Sequence, residues 1–241
     1  QNWQIAQSSP ETVELMPEKA VAAALAQGKQ NVGIAYTYSE PSVWYEYILD
    51  TAKLVRQAGL KNVLVTNGFI NPEPLAELLP YLDALNIDVK AFNDTFYQKI
   101  CSGRLGAVKR TVEQAAAACH VEVTTLLIPG QNDDREELAA LAKWLAALNP
   151  GIPLHFSRYF PNYKMAEPPT PPATLEMAWQ TAREYLEYVY LGNMGTAGNN
   201  TYCPCCGYLV IDRTTRRSWL AADKKCPRCG SIIRLTGEVC Y

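Results

Sequence analysis

Four cysteines near the carboxyl end of the chain have the types and spacing of a metal site. Two C-x-x-C-G turns begin at Cys203 and Cys226. Each turn brings two thiolates side by side, and two such turns can close a tetrahedral four-sulfur site for Zn²⁺ or a single iron ion. Six of the eight cysteines lie from Cys203 to Cys240, which favours metal ligation in a reducing compartment over a pair of disulfides. The predicted ligands are Cys203, Cys206, Cys226 and Cys229.

The ligand set alone does not select the metal. Zinc is the favoured occupant, but the paired turns are equally typical of rubredoxin-like iron sites. Cys205 and Cys240 are left over. We interpret them as bystanders, with ligation of an auxiliary iron–sulfur site as the alternative. Cys101 and Cys119 stand apart from the cluster and are most simply small buried residues.

A second group of polar side chains follows the ends of predicted β-strands. These residues are Glu40 after the first strand, Asn67 after the second, Asp88 and Lys90 at the end of the third, Asn132 after the fourth and His155 on the fifth. Each has a structural alternative, such as a turn at Asn67, an ion pair at Asp88 or a core histidine at His155. Because catalytic groups of (βα) barrels gather at the carboxyl ends of the strands, we expect these residues to converge on one mouth.

The elements that must position these residues alternate between short apolar strands and amphipathic helices. Strands are predicted at residues 32–36, 62–66, 84–89, 121–128, 153–157 and 188–191. Several of these runs are continuously apolar, as expected for parallel strands covered by helices. Helix starts are indicated by Pro41, by Asp133 with Glu136 three residues on, and by Thr170 before Pro171.

Repeated βα units predict a right-handed parallel sheet, for which a (βα) barrel and a doubly wound sheet are the candidates. The barrel is favoured because no G-x-G-x-x-G follows the first strand and no P-loop occurs. The predicted fold is therefore α/β, with a partial TIM-like (βα)₆ barrel over residues 1–195. A zinc-ribbon or rubredoxin-like metal knuckle follows over residues 196–241.

Composition and charge exclude several classes of protein. With 48% hydrophobic and 19% charged residues, the chain of 241 residues is neither disordered nor fibrous. No apolar run approaches the length of a membrane span. The tail from Thr196 onward carries seven Lys/Arg against three Asp/Glu, and the rest of the chain is acidic. So mild a basic tail does not favour a nucleic-acid partner, and we expect a cytoplasmic protein.

Eight short stretches together resemble the radical S-adenosylmethionine (SAM) enzymes. They are Gln1-Asn2-Trp3, Tyr36-Thr37-Tyr38-Ser39-Glu40-Pro41, Val65-Thr66-Asn67-Gly68, Asp88-Val89-Lys90, Leu127-Ile128-Pro129-Gly130-Gln131-Asn132-Asp133, Leu154-His155-Phe156-Ser157-Arg158, Tyr190-Leu191-Gly192-Asn193 and Thr201-Tyr202-Cys203-Pro204. Each stretch is weak alone, but their order along the whole chain is specific. The resemblance is to the branch of pyruvate formate-lyase-activating enzymes, and within it to the AmmeMemoRadiSam-system radical SAM enzymes.

The resemblance implies a SAM site and assigns its residues. Ser39 and Glu40 occupy the place of the family's Gly-Gly-Glu motif, which holds the methionyl amino group, and Tyr38-Ser39 replaces the two glycines. The further implied contacts are Asn67, Asp88 and Lys90 at the methionine carboxylate and ribose region, Ile128 to Asn132 beside the adenine, and His155 near the ribose.

The cluster motif of this family is absent from the sequence. Three cysteines spaced C-x-x-x-C-x-x-C ligate a [4Fe–4S] cluster in the family and leave one iron for SAM, but this spacing does not occur in the 241 residues. The resemblance places the cluster loop and the first barrel strand directly before Gln1. We therefore expect a truncated fragment that does not cleave SAM by itself, with a natural pseudoenzyme as the alternative. The full-length protein is expected to cleave SAM and abstract hydrogen from a protein or a small substrate.

A competing interpretation is a non-catalytic binding module, in which a barrel scaffold carries a zinc ribbon for contact with a protein or nucleic acid. The basic tail and the missing cluster motif favour this interpretation, whereas the strand-end residues favour the enzyme. The sequence does not specify a substrate, because one fold and one kind of radical serve many reactions.

Overall fold

The computed structural model describes residues 11–194, 197–221 and 223–237. The stretch Gln1 to Trp3, Cys240 and the predicted domain boundary at residues 195 and 196 lie outside the described residues. Among the described residues, no helix is both long and apolar enough to cross a membrane.

The fold is α/β, as predicted. The α-helices are α1 (Pro17–Ala26), α2 (Tyr45–Gln57), α3 (Pro72–Leu78), α4 (Asp94–Ile100), α5 (Leu105–Ala116), α6 (Arg135–Leu148) and α7 (Pro172–Arg183). The strands are β1 (Gly33–Tyr36), β2 (Lys61–Thr66), β3 (Ala84–Asp88), β4 (His120–Leu127), β5 (Leu154–Arg158), β6 (Val189–Gly192), β7 (Thr201–Tyr202), β8 (Leu209–Asp212) and β9 (Arg217–Ser218). A 3₁₀ turn, Pro41–Trp44, leads into α2.

The six predicted strands are confirmed, and they form one six-stranded sheet in the order β1-β2-β3-β4-β5-β6. Strand order therefore equals chain order. A doubly wound sheet reverses its order at a switch point, whereas successive βα units of a barrel do not. The topology agrees with the predicted (βα)₆ arrangement.

The chain divides into two compact units. The first comprises Gln1–Val89, Tyr97–Glu122 and Asn162–Lys164. In this unit β1, β2 and β3 pair in parallel, with Val65 opposite Asn86. One face of β2 and β3 carries the fully buried Leu64, Leu85 and Ile87. By the period of two, the other face carries Val65, Asn86 and the end residue Asp88, all half-buried.

The second unit comprises Lys90–Phe96, Val123–Pro161 and Met165–Tyr241. Here β4, β5 and β6 pair in parallel, and Thr124, His155 and Tyr190 stand opposite one another on neighbouring strands. Phe156, which follows His155, is fully buried on the opposite face of β5.

The cysteine-rich tail belongs to this second unit and forms an antiparallel sheet of β7, β8 and β9. A buried cluster joins the tail to the last strand of the large sheet. Its members are Tyr188, Tyr190, Cys203, Val210, Ile211, Cys226 and Ile233. The tail thus shares its apolar core with β6.

One predicted helix cap is wrong. The cap of α6 is Asp134, whose Oδ1 accepts from the amide of Glu137 at 3.0 Å. Asp133, the predicted cap, instead accepts from the amide of Gly130 at 2.8 Å. Asp133 is therefore part of the preceding Pro-Gly turn, and the next residue, Asp134, caps the helix.

Candidate active site and metal centre

The two cysteine turns come together in the tail. The Sγ atoms of Cys203, Cys206, Cys226 and Cys229 all lie within 4.8 Å of one another. The distance is 3.6 Å between Cys203 and Cys229 and 3.7 Å between Cys206 and Cys226. Zinc–sulfur bonds of about 2.3 Å put the corners of a sulfur tetrahedron about 3.8 Å apart. The four residues therefore fit a tetrahedral metal site, and these sulfur pairs are free thiols, not disulfides.

The same local hydrogen bonds shape both turns. The amides of Cys203 and Cys226 each donate to the carbonyl five residues on, at 2.8 Å. The amides of Gly207 and Gly230 donate back to the carbonyls of these two cysteines at 2.9 Å. Both glycines have positive φ, 70° and 75°, a conformation that favours glycine. The C-x-x-C-G sequence therefore determines each turn within a few residues.

The four thiols differ in their protein surroundings. Burial raises the pKa of Cys203 above its ordinary value. The hydroxyl and amide of Ser231 lower the pKa of Cys229 to about 6, and the hydroxyl lies 3.3 Å from its sulfur. A divalent cation at the centre would stabilise the thiolate form of all four residues, because metal ligation requires deprotonated cysteine.

Glu40 lies at the centre of a hydrogen-bond network between the ends of β1 and β2. Its Oε1 accepts from the Thr66 hydroxyl at 2.7 Å and from the Ser42 amide at 3.1 Å. Its Oε2 accepts from the Asn67 amide at 2.7 Å. Its backbone carbonyl accepts from the Trp44 indole at 3.1 Å. The structure therefore brings the predicted residues Glu40 and Asn67 into direct contact, with Glu40 joining the two loops.

The turn after β2 is fixed by further side chains. Asn67 Oδ1 accepts from the amide of Phe69 at 2.8 Å, and the Thr66 hydroxyl accepts from the amide of Gly68 at 3.1 Å. Thr111 on α5 donates to the carbonyl of Gly68 at 2.7 Å. Ser39, the neighbour of Glu40, is exposed. The loop that the resemblance assigns to the methionyl end of SAM is thus held from several directions.

We expect Gly68→Ala to destabilise the protein by about 2–5 kcal/mol, because the new Cβ adds both backbone strain and a steric clash. Gly68 has φ of 73°, and a Cβ there would lie 2.8 Å from Ile87 Cγ2 and 3.0 Å from Val108 Cγ1. Gly59→Ala is the matched control, since Gly59 has φ of 76° with nothing within 4 Å of an added Cβ. Urea unfolding of both variants separates the clash from the strain. Equal losses in the two variants would contradict the expected clash.

Asn132 ties the loop after β4 to the start of the second unit. Its Nδ2 donates to the carbonyls of Lys90 at 2.6 Å and Leu126 at 2.8 Å, and its Oδ1 accepts from the amide of Ile128 at 2.7 Å. Asn132 is 1% exposed. The structure thus brings Lys90, Ile128 and Asn132 together, and Asn132 serves as a structural tie within this loop. Ile128 packs its side chain into a buried cluster that includes Phe96.

His155 is half-buried on β5 and stacks on Tyr190 of the neighbouring strand. The ring centroids are 5.1 Å apart and the rings are inclined by 23°. His155 is thus a packed residue in contact with an aromatic ring on the next strand.

The sequence reasoning missed three residues that position the candidate site. Thr66 and Thr111 hold the turn after β2, and Tyr190 packs on His155. Thr66 and Tyr190 both lie inside stretches that carry the resemblance, but neither was singled out. The available signal was the position of Thr66 at the end of β2 and of Tyr190 within β6.

The comparisons with known proteins identify the class of protein. The family model of the radical SAM superfamily matches residues 2–142. The chain belongs to the radical SAM superfamily. An uncharacterized protein of Methanocaldococcus jannaschii is 42% identical over 245 residues, which cover 97% of this chain and 72% of the relative.

Solved structures agree with this family. A domain of a pyruvate-formate lyase-activating enzyme from Bacteroides vulgatus has a TM-score of 0.58 and 24% identity, and the match covers 67% of this chain and 99% of that domain. SuiB of Streptococcus suis bound to S-adenosylmethionine has a TM-score of 0.62 and 12% identity, over 78% of this chain and 46% of SuiB. At these identities the likeness concerns the fold alone.

The chain's cysteines do not fit the cluster of this family. The C-x-x-x-C-x-x-C spacing is missing from the sequence, and among the described residues the one group of cysteines that could hold a metal is the tetrahedral tail site. Four thiolates from paired turns suit a single ion, whereas the family's cluster uses three cysteines on one loop and leaves an iron open.

Proposed function

We propose that the protein is a radical SAM enzyme that, in its full-length form, reductively cleaves SAM to a 5′-deoxyadenosyl radical for hydrogen abstraction from a protein or a small molecule. The observation that carries the proposal is the match of the superfamily model over residues 2–142. Because SAM-cleaving radical chemistry is the common property of the superfamily, the remaining question is how this chain's residues take part in it.

The methionyl end of SAM is assigned to the loops after β1 and β2. A carboxylate has about four lone-pair sites, and Glu40 uses three of them on Ser42, Thr66 and Asn67. One site remains for an ammonium group, so Glu40 can hold the loop and still accept from the methionyl amine. Ser39 is exposed beside it. Asp88 and Lys90 are proposed at the methionine carboxylate and ribose region.

The adenosyl end is assigned to the loop after β4 and to His155. The backbone of Ile128 to Asn132 is fixed by the buried amide of Asn132, which would give the adenine edge a preorganised set of donors and acceptors. His155 would meet the ribose. Fixed positions of this kind lower the entropy cost of orienting the sulfonium, which is the protein's contribution when a cofactor carries the hard chemistry.

The [4Fe–4S] cluster is proposed to be held by cysteines outside these 241 residues, because the motif that binds it does not occur among them. The chain alone is therefore proposed to be inactive in SAM cleavage. The tail holds zinc or a single iron in a structural role. The reducing environment that such thiols and clusters need favours the cytoplasm.

Anaerobic reconstitution tests the proposal. The 241-residue chain and a longer gene product that contains a C-x-x-x-C-x-x-C segment are loaded with iron and sulfide, reduced with dithionite and incubated with SAM. We expect 5′-deoxyadenosine from the longer protein and none from the chain alone. Formation of 5′-deoxyadenosine by the chain alone would indicate that the tail cysteines hold the cluster. It would contradict the proposal that cysteines outside the 241 residues hold it. A longer protein that holds a cluster but neither binds nor cleaves SAM would favour the non-catalytic binding module.

A further inference from the structure

The stacked pair of His155 and Tyr190 is connected directly to the metal-binding tail. The Tyr190 hydroxyl forms a hydrogen bond of 3.1 Å with the hydroxyl of Thr201, the first residue of β7. The Arg213 guanidinium lies over the Tyr190 ring, 5.3 Å from its centroid. Tyr190 therefore contacts His155 through its ring and the tail through both its ring and its hydroxyl.

Arg213 and Thr201 are themselves bound to each other. Arg213 Nη1 donates to Thr201 Oγ1 at 2.7 Å and to the carbonyl of Asn199 at 2.6 Å. The backbone amide of Arg213 donates to Asn200 Oδ1 at 2.9 Å. These bonds hold the segment that enters the tail against the end of β8, directly beside the ring of Tyr190.

The metal ligands lie in the same small core. Cys203 follows β7 directly, and Cys203 and Cys226 are 0% and 2% exposed within the buried cluster that contains Tyr190. The other buried tail residues of this cluster are Val210, Ile211 and Ile233. Small domains with cores of this size depend on a structural metal for much of their stability. A metal at the four cysteines would therefore fix the two tail residues that contact Tyr190.

We propose that Tyr190 and Arg213 are positioning residues through which metal binding in the tail sets the orientation of the His155 ring. In the metal-bound tail, Thr201 and Arg213 hold the Tyr190 ring, and the ring holds His155. In the metal-free tail, this support is lost and His155 samples other orientations. Any effect on SAM binding rests on the proposed function, because it requires His155 to contact the nucleoside. The coupling between the metal and His155 does not depend on the proposed function.

Histidine NMR tests the coupling directly, because the sequence contains two histidines. His120 pairs with Glu122 at 3.1 Å in the first unit and serves as the internal reference. The ring Cε1–Hε1 resonances are assigned with His120→Gln, and zinc is titrated into protein stripped of metal. We expect the His155 resonance to shift and sharpen with one equivalent of zinc while the His120 resonance stays in place. A His155 resonance that does not respond while zinc binds would overturn the proposal.

Variants separate positioning from general folding of the tail. Arg213→Ala removes the contact over the ring and the bonds to Thr201, and Arg217→Ala is the matched control on the exposed strand β9. We expect Arg213→Ala to bind zinc with unchanged stoichiometry and to lose the zinc-dependent shift of His155, whereas Arg217→Ala keeps it. Tyr190→Phe retains the ring and should keep part of the shift. Equal behaviour of the two arginine variants would contradict the proposal.

Measurements of SAM binding then test the proposed function separately from the coupling between the metal and His155. If both hold, removing zinc or replacing Arg213 with Ala weakens SAM binding to the cluster-loaded longer protein by about fivefold or more, and SAM strengthens zinc binding by the same factor. Absence of SAM binding in every form would refute the proposed function while the NMR result still decides the coupling. SAM binding that is independent of zinc would refute the role of the tail in the nucleoside site.

Discussion

Cys203→Ser is expected to abolish stoichiometric metal binding and to unfold the tail. Cys203 is fully buried and its Sγ lies 3.6 Å from that of Cys229. A serine leaves three thiolates around a site that needs four, and structural zinc sites of this kind contribute about 10–16 kcal/mol of apparent binding free energy to folding. Elemental analysis should give about one metal ion per chain for the unmodified protein and a small fraction of that for the variant.

Cys205→Ser is the matched control for this experiment. Cys205 lies in the same turn, is exposed and does not belong to the group of four sulfurs that could hold an ion. We expect this variant to keep its metal and its resistance to proteolysis in the tail. A strong chelator should reproduce the effect of Cys203→Ser on the unmodified protein. Full metal content in Cys203→Ser would contradict the four-cysteine site, and loss of metal from Cys205→Ser would make Cys205 a ligand.

Glu40→Gln is expected to weaken SAM binding by the full-length protein at least tenfold. The carboxylate accepts three hydrogen bonds from Ser42, Thr66 and Asn67. An amide can accept at its oxygen but presents hydrogens at its nitrogen, so at least one donor on the neighbouring loop loses its partner. Hydrogen bonds to charged groups are worth about 1.5–3 kcal/mol each, and a tenfold effect corresponds to about 1.4 kcal/mol.

Two comparisons make the Glu40 result specific. Glu73→Gln changes an exposed glutamate in the first turn of α3 and should leave SAM binding unchanged. Thr66→Val removes the hydroxyl that donates to Glu40 and should act in the same direction, whereas Thr66→Ser keeps that donor and should restore binding. Isothermal titration with SAM measures the dissociation constants. Unchanged binding in both Glu40→Gln and Thr66→Val would show that the network does not support the methionyl site.

The four-cysteine cluster of the tail is the part of the candidate site that local sequence predicts best. The spacing C-x-x-C-G predicted both turns and the four cysteines that the structure brings together, because each turn is closed by hydrogen bonds between residues four or five positions apart and by a glycine with positive φ. The six strands of the large sheet were predicted for a similar reason. Continuous apolar runs of four to eight residues carry their own signal of burial.

The partners of the strand-end residues could not be predicted in this way. Glu40 contacts Thr66 and Asn67, which are 26 and 27 positions away, and Asn132 contacts the carbonyl of Lys90, 42 positions away. Such contacts depend on the register of neighbouring strands and on the path of each loop. The cap of α6 could not be predicted for a similar reason, because Asp133 and Asp134 are adjacent and either could cap the helix. Asp133 binds the amide of Gly130, and Asp134 is the cap.

The sequence by itself thus determined the α/β class, the order of the elements, the cysteine site and the chemical types at the strand ends. Only the tertiary structure decided that Glu40 joins two loops and that Tyr190 lies between His155 and the tail in the chain of contacts. Turn chemistry and hydrophobic periodicity act over a few residues and can be read from one segment. Hydrogen bonds and ring contacts between distant segments form only after the sheet has brought those segments to the same place.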